Sequence, residues 1–406
     1  MYIRGIMRKL LLIVITSLFL LTACSSYKAQ KEVVFWTLQM RDFSSYINEI
    51  INDYEAQHSD IKIKWIDIPF SEGEKRTLAA VMTDNPPDLI NLNPDFSAML
   101  AQKGILQEIS PQNLSEFNQE IVEALKYNGK LYSIPWYGTS AITIYNKELF
   151  RKSGLKDLPR TFDDLAKISS VIKNNTGAYS YLPTIVENDT MLKILNKYGV
   201  IEPADYNSKN SIEIFNMFKD LYSKDLIPPE TITMTHREAL EQYMAGKIVF
   251  YQAGANFLNI IKENAPSIYA QTDVMEQIKG SLGQNDFSVM NFVIPIRAKY
   301  KKEALDFCLY LTNEENQLKL AKLTNIITTN SNALKNEFYD DYSDLSAKAR
   351  TISAKQFHNI RPAFMQRDGQ KEINYKINNA VQEILLDKES TENILNNLFN
   401  YNNQVD

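Results

Sequence analysis

Beyond its first 30 residues, the chain alternates between two patterns of apolar and polar positions. Residues 33–38 form a continuous apolar and β-branched run, which is typical of a strand buried on both faces. Apolar residues between 43 and 54 recur every three or four positions, which predicts an amphipathic helix with Asp42 as its N-cap. Residues 61–65 alternate apolar side chains with lysine, as in a half-exposed strand. This succession of strand, helix and strand indicates an α/β fold with a parallel sheet.

The same two patterns continue towards the C-terminus. Strand patterns return at 130–134 and 141–145, and Thr161 followed by Asp164 predicts a capping box at the start of a helix. From about residue 303 onwards the apolar spacing is mostly helical. The spacing stays helical in the Asn-rich tail, so we expect a terminal helix there rather than disorder.

The N-terminal segment carries a separate signal. Three basic residues precede an uncharged apolar run, 10–21, that is shorter than the roughly 20 residues needed to span a bilayer. The run ends in Leu-Thr-Ala-Cys, which resembles the lipobox of bacterial lipoproteins, where the cysteine is acylated and becomes the mature N-terminus. We therefore predict a signal peptide at 1–23, a lipidated tether at 24–32, and an exported protein held on the outer face of the cell membrane by Cys24. The alternative is the end of an inner-membrane anchor.

Composition narrows the possible partners. The 406 residues carry a net charge of −5, which provides no basic surface for nucleic acid.

At about 150 residues per domain, this length predicts two domains. The two cysteines are Cys24 and Cys308. Because Cys24 is expected to carry the lipid, we expect no disulfide within the chain.

Catalytic and metal-binding motifs are not recognisable in the sequence. The histidines His58, His236 and His358 are scattered without metal-ligand spacing, and no phosphate-binding glycine loop or nucleophile elbow occurs. We therefore predict a binding protein with no catalytic residue, metal or cofactor. Carboxylates are plentiful, so an exported glycosidase is the alternative from a different functional class.

Several blocks of the chain resemble one family. The segment Asn-Gly-Lys-Leu-Tyr-Ser-Ile-Pro-Trp-Tyr at 128–137, with Ile-Tyr-Asn-Lys-Glu-Leu-Phe at 144–150, is similar to the signature of the extracellular solute-binding proteins of family 1. That group contains maltose-binding protein. The other blocks that agree with the family, in order along the chain, are 86–89 with 104–106, 158–165, 244–247 with Gly254, and 303–307 with 311–312.

The resemblance implies a two-lobed, periplasmic-binding-protein-like α/β fold of type II, with hinge crossings between the lobes and a ligand cleft between them. By position, lobe 1 would comprise 33–138 plus 295–330, and lobe 2 would comprise 139–294 plus 331–406. The resemblance also implies a monomer that binds a sugar or oligosaccharide outside the cell, closes around it and delivers it to the permease of an ABC importer.

Candidate ligand-binding residues in the first lobe follow from the family and from a general rule. Open α/β sheets bind ligands beyond the carboxyl ends of their strands, which points to the loops after Leu38 and Leu92 and to 136–140. An aromatic residue there can stack on the apolar face of a sugar. The candidates in this lobe and at the crossing are Trp36, Gln39, Arg41, Asn93, Asp95, Trp136, Tyr137, Thr139 and Ser140.

The resemblance adds candidates in the second lobe: Glu187, Asn188, Gly254, Asn256, Asn285, Asp286, Arg361 and Tyr375. Some candidates have an ordinary structural alternative: a helix cap for Asp95, a solvated loop cation for Arg41, and core packing for Trp136 and Tyr137. A non-sugar solute, such as a phosphodiester, a uronate or a peptide, is also an alternative, and Arg41 and Arg361 would then clamp an anion.

Overall fold

The strands form one path of hydrogen-bonded neighbours in a computed structural model that describes residues 30–187, 189–324, 326–360 and 370–399. The order along the path is β2-β1-β3-β8-β4-β6-β5, and β7 and β9 also pair with β4. The strands are β1 Lys31–Leu38, β2 Ile61–Ile68, β3 Leu89–Leu92, β4 Ile134–Asn146, β5 Tyr179–Tyr181, β6 Ile248–Gly254, β7 Thr272–Glu276, β8 Phe287–Val293 and β9 Ile327–Thr328.

Helices connect and cover these strands, and within the described ranges none of them combines the length and apolarity needed to cross a bilayer. The helices are α1 Ser44–Gln57, α2 Phe70–Val81, α3 Pro94–Gln102, α4 Gln119–Ala124, α5 Lys147–Lys152, α6 Phe162–Thr176, α7 Thr190–Lys197, α8 Lys209–Ser223, α9 His236–Met244, α10 Phe257–Asn264, α11 Pro266–Tyr269, α12 Lys301–Leu311, α13 Glu314–Thr324, α14 Leu345–Lys355, α15 Gln370–Leu385 and α16 Thr391–Phe399.

The path of strands is parallel at its first end, over β2, β1 and β3, as the sequence predicts, and it is antiparallel at its centre. β1 pairs in parallel with β2 and β3, while β8 pairs antiparallel with both β3 and β4. β4 is long enough for its two ends to pair with different strands, one on each side of the path. Its residues 134–140 pair with β8, and its residues 141–145 pair with β6.

Separate cores lie on the two sides of this crossing, and the chain is a two-lobed α/β protein, as predicted. In one core, the Phe35 ring of β1 lies 5.3 Å from Phe307 of α12 and 5.7 Å from Phe292 of β8. In the other, Phe250 of β6 lies 5.9 Å from Phe150 of α5. β8 belongs to the sheet of the first lobe through its pairing with β3. The limits of the lobes along the chain stay a prediction.

Local signals in the sequence have mixed outcomes. The capping box of Thr161 and Asp164 is present at the start of α6, and the Asn-rich tail forms α16 as far as it is described, to Phe399, so both predictions are confirmed. Asp42 as the N-cap is wrong, because it lies in a short 3₁₀ turn and α1 begins at Ser44. The strand predicted at 141–145 is part of β4, which begins at Ile134; the separate strand predicted at 130–134 is wrong.

Candidate ligand-binding cleft

The loop after β1 is held by the carboxylate of Asp67 at the end of β2. Its oxygens accept hydrogen bonds from the backbone N–H groups of Met40 at 2.8 Å and Arg41 at 3.1 Å, and from the hydroxyl of Thr37 at 2.7 Å. Gln39, just before them, has a left-handed φ of 54°, which L-residues rarely adopt. This sharp turn brings the Met40 side chain to the cleft.

A β-bulge separates two neighbouring aromatic residues of β4. The register with β8 shifts between Pro135 and Tyr137, which leaves Trp136 as the extra residue and breaks the alternation of side chains. Trp136 is fully buried, with its ring 4.6 Å from Phe292, whereas Tyr137 is half-buried and reaches the cleft. The two rings meet edge to face at 5.0 Å. Burial raises the pKa of Tyr137 to about 12.

The bulge is also the point where α13 and β9 attach to β4. The hydroxyl of Thr329 lies 3.1 Å from the carbonyl oxygen of Pro135 and 3.0 Å from that of Trp136. Gln317 of α13 donates to the same hydroxyl oxygen at 3.1 Å. These buried bonds hold the apolar side chains of α13 and β9 beside Tyr137.

Another wall comes from the turn between β6 and α10. A Cβ atom added at Gly254 would come within 2.5 Å of the Asn256 Oδ1 atom. Glycine is therefore required here for Asn256 to keep its present position. The Asn256 side chain is exposed, and a carboxamide can both donate and accept hydrogen bonds.

A buried polar network lies beneath the cleft at the crossing of β4. The hydroxyl oxygen of Ser140 accepts hydrogen bonds from the side-chain amides of Gln356 at 3.0 Å and Gln277 at 3.3 Å. Gln356 in turn accepts from the backbone N–H of Gln277 at 2.8 Å. The predicted ligand-binding residue Ser140 is therefore already engaged within the protein.

An ion pair extends this network into the second lobe. The ammonium group of Lys197, at the end of α7, lies 2.9 Å from Asp286 Oδ2 and donates to Gln277 Oε1 and the Ile278 carbonyl oxygen, both at 3.0 Å. The Lys197 side chain is only 5% exposed. Asp286, predicted to bind ligand, thus holds α7 against the segment that leads into β8.

A cavity of about 330 Å³ opens among these elements. Ligand pockets commonly span about 300–1,000 Å³, so its size suits a small solute. Its lining comprises Met40, Phe43, Tyr137, Thr139, Ser140, Gly254, Ala255, Asn256, Leu320, Thr324, Ile326, Ile327 and Ser353. The candidate residues that the structure brings together here are Tyr137, Thr139, Ser140, Gly254 and Asn256.

Two further candidates, Asn93 and Asp95, lie at the start of α3. Asn93 is the N-cap, since its side chain accepts a hydrogen bond from the backbone N–H of Phe96 at 2.8 Å. Asp95 follows in the first turn with an exposed side chain. Its pKa is raised above its ordinary value by partial desolvation and by the negative charge of Asp189, while Lys193 opposes the shift. Asp95 therefore faces an acidic neighbourhood rather than a cationic one.

Other candidates have structural partners away from the cavity. The Glu187 carboxylate accepts from the backbone N–H of His236 at the start of α9, and burial lowers the pKa of the His236 imidazole. The Asn285 side chain is buried and donates to the carbonyl oxygen of His358 at 3.0 Å. Trp36 of β1 is half-buried and packs against the apolar cluster that includes Leu38 and Leu92.

The remaining candidates that the structure describes do not line the cavity. Those with exposed side chains are Gln39, Arg41 and Tyr375. Those that lie outside the described residues are Cys24, Asn188 and Arg361. Within the described ranges, no group of three or more histidine, cysteine and acidic side chains could hold a metal ion.

Comparison with known proteins decides the family. A sequence profile of bacterial extracellular solute-binding proteins matches residues 49–347. The chain belongs to this family. The family predicted from the sequence is thereby confirmed. One relative of this solute-binding protein, the Multiple sugar-binding protein of Streptococcus mutans, is 28% identical over 321 residues, which cover 72% of this chain and 75% of the relative.

Solved structures agree with the two-lobed fold of this solute-binding protein. A periplasmic-binding protein of Synechococcus sp. MITs9220 superposes with a TM-score of 0.82 at 26% identity, over 91% of this chain and 97% of that one. The cyclic alpha-maltosyl-1,6-maltose binding protein of Arthrobacter globiformis gives a TM-score of 0.76 at 17% identity, over 91% and 97% of the two chains. At that lower identity the likeness concerns the fold alone.

Sequence reasoning missed the apolar part of the lining in this solute-binding protein. The loop after Leu38 does reach the cavity, but through Met40 and Phe43 rather than through the predicted polar residues Gln39 and Arg41. Leu320 and Ser353 carried no signal, because an apolar or small residue in a helix pattern is indistinguishable from core packing.

Proposed function

We propose that this solute-binding protein binds a sugar or oligosaccharide in the cavity and delivers it to the permease of an ABC importer. The relative from Streptococcus mutans is named as a sugar-binding protein, and the Synechococcus sp. MITs9220 neighbour as an oligosaccharide periplasmic-binding protein. These names support a carbohydrate ligand here.

The position of Tyr137 is the observation that carries this proposal. Its half-buried ring shares a small cavity with the exposed carboxamide of Asn256 and the hydroxyl of Thr139. A pyranose ring has an apolar C–H face and a polar rim, so the ring face stacks on Tyr137 while the rim bonds to the amide and hydroxyl groups. The β-bulge at Trp136 and the glycine at 254 are the features that give both groups this access.

Transport requires a change between two states and a location outside the cell. We infer that the lobes close around the sugar by rotation at the β4 crossing and that the closed surface is recognised by the permease. Acylated Cys24, followed by the tether, would keep the protein at the membrane where the permease lies. The function includes no chemical step, so a bound oligosaccharide is released unchanged.

A thermal-shift screen of residues 25–406 against a carbohydrate library tests the proposal. A ligand that binds the native state raises the melting temperature by mass action, and calorimetry should then show one ligand per chain. Chromatography of the recovered oligosaccharide should show no products. If phosphodiesters or peptides stabilise the protein and no carbohydrate does, the proposed ligand class is wrong; hydrolysis products would instead indicate the glycosidase alternative.

A further inference from the structure

The cavity contains no charged side chain among the described residues that line it. Arg41, predicted as an anion clamp, has an exposed side chain and is not part of this lining. An anion that entered the cavity would lose water without gaining a counter-charge there, which costs free energy. A charged ligand is therefore disfavoured by the lining itself.

The charged groups around Asp95, at the start of α3, are predominantly acidic. Asp95 of α3 is close enough to Asp189 and Glu74 for their negative charges to raise its pKa, and Lys193 is the cation that opposes them. Lys193 is itself paired with Asp189 at 3.0 Å. This arrangement repels an approaching carboxylate or phosphate rather than attracting it.

The lining divides into an apolar wall and a neutral polar wall. Residues of the apolar wall come from the loop after β1, from α13 and from residues 326–327: Met40, Phe43, Leu320, Ile326 and Ile327. Thr324 of α13 also lines this side, but its hydroxyl already donates to the Leu320 carbonyl oxygen at 2.7 Å. Residues of the polar wall come from β4, the β6–α10 turn and α14: Thr139, Ser140, Asn256 and Ser353. A solute with one apolar face and one face bearing hydroxyl groups matches both walls.

Ser353 differs from the other buried polar side chains of the polar wall. It lies in α14, is only 3% exposed, and its hydroxyl has no hydrogen-bond partner among the described residues. By contrast, Ser140 already accepts from two glutamines, and Thr351 of the same helix donates to the Asp341 carbonyl oxygen at 2.8 Å. A buried hydroxyl without a partner costs free energy in the empty protein.

A ligand in the cavity can supply the missing partner. Ser353 already lines the cavity, and rotation about its χ1 angle moves the hydroxyl between staggered positions without moving the helix. We propose that the cavity selects an uncharged sugar with one apolar face, and that Ser353 is a specificity-determining residue that bonds to one hydroxyl group of that sugar. This inference rests on the proposed function, because it names the class of sugar that the same site accepts.

The charge preference is tested with matched pairs of probes. Calorimetry compares maltose, cellobiose and galactobiose with the corresponding disaccharides that carry a uronate, in the wild-type protein. We expect at least one neutral member to bind at least tenfold more tightly than its acidic counterpart. Equal or tighter binding of the uronates would overturn the inference while leaving sugar binding intact. Binding of no member would overturn this inference, whereas the proposed function fails only if no carbohydrate of the wider library binds either.

The role of Ser353 is tested with Ser353→Ala and the tightest-binding neutral probe of that panel. Loss of one hydrogen bond should weaken binding roughly 2- to 10-fold. The free energy of unfolding without ligand should stay the same or rise, because the removed hydroxyl has no partner. Monodeoxy analogues of the probe add a second readout, since the variant should no longer discriminate against the one analogue that lacks the bonded hydroxyl.

The matched control is Ser211→Ala. Ser211 in α8 is also fully buried, also has a hydroxyl without a partner among the described residues, and does not line the cavity. This variant should leave both affinity and deoxy discrimination unchanged. If Ser353→Ala binds every analogue as the wild type does, or loses stability with unchanged affinity, Ser353 has only a structural role and the inference fails.

Discussion

Tyr137 and Trp136 show how one residue of offset separates a side chain that lines the cavity from a side chain in the core. The sequence offers two adjacent aromatics, and period-2 alternation cannot say which one faces the cleft when a bulge intervenes. In the structure Trp136 is fully buried and Tyr137 lines the cavity. The bulge depends on long-range pairing with β8, so no local pattern encodes it.

Tyr137→Ala is therefore expected to weaken sugar binding by about 1.5–3 kcal/mol, since the variant loses an aromatic surface that the ligand covers. This corresponds to a roughly 10- to 150-fold higher Kd, measured by calorimetric titration. Trp136→Phe serves as the control, because it changes a buried core contact and should affect the unfolding midpoint more than the Kd. A Kd in Tyr137→Ala equal to that of the wild type would mean that the ring does not contact the sugar.

Asp95→Asn should stabilise the empty protein at pH 7. Desolvation and the charges of Asp189 and Glu74 raise the pKa of Asp95 in the folded state, so its ionised form disfavours folding above that pKa. The gain should shrink as the pH falls through the folded pKa and vanish below the ordinary value of about 3.9. Urea unfolding across this range measures it, with the exposed Asp157→Asn as control. A less stable Asn variant at pH 7 would show that the attraction between the Asp95 carboxylate and the helix N-terminus outweighs the repulsion by the acidic neighbours.

At the scale of elements, the strand and helix order was predictable because each element carries its own period. The capping box at Thr161 and the terminal helix are examples of signals that are complete within a few residues. The continuous β4 and its antiparallel partner β8 are different, since their pairing joins residues 134–140 to 287–292. The cavity wall of α13 and β9 likewise depends on Thr329 reaching the bulge.

Lys197→Met tests how firmly α7 is tied to the crossing. Removal of one partner from a buried ion pair leaves the other charge uncompensated, which costs about 3–5 kcal/mol. We expect the lower end, roughly 3 kcal/mol, because the Asp286 side chain remains 26% exposed. Denaturant unfolding measures the change. Lys224→Met, which removes an exposed pair with Asp220, should have little effect, and equal losses in both variants would contradict the structural role given to Lys197.

At the scale of the whole molecule, the family and the two-lobed fold were predictable from motif blocks spread along the chain, whereas the cavity lining was not. The cavity lining draws on segments as distant as Met40 and Ser353, which only the folded chain brings together. Apolar lining residues also resemble core residues in sequence. The predicted residues therefore cover the side of the cavity formed by β4 and the β6–α10 turn and miss the side formed by the loop after β1, α13 and β9.

Cys24→Ser tests the predicted location of the whole protein. The variant should no longer incorporate labelled fatty acid, and the processed form should leave the membrane fraction, because acylation supplies the membrane affinity. Cell fractionation with metabolic labelling measures both. Cys308→Ser is the control, since that thiol is buried in α12 and should have no effect on labelling. A Cys24→Ser protein that is still processed and lipid-labelled would exclude this cysteine as the anchor.

The central claim is that a sugar binds in the cavity between the lobes. A crystal structure of residues 25–406 with the tightest-binding sugar from the screen tests it most directly. We expect one sugar ring stacked on Tyr137, with hydrogen bonds to Asn256 and with the apolar side chains of α13 and β9 beside it. A sugar bound elsewhere, for example against the exposed ring of Tyr375, with this cavity empty, would contradict the account.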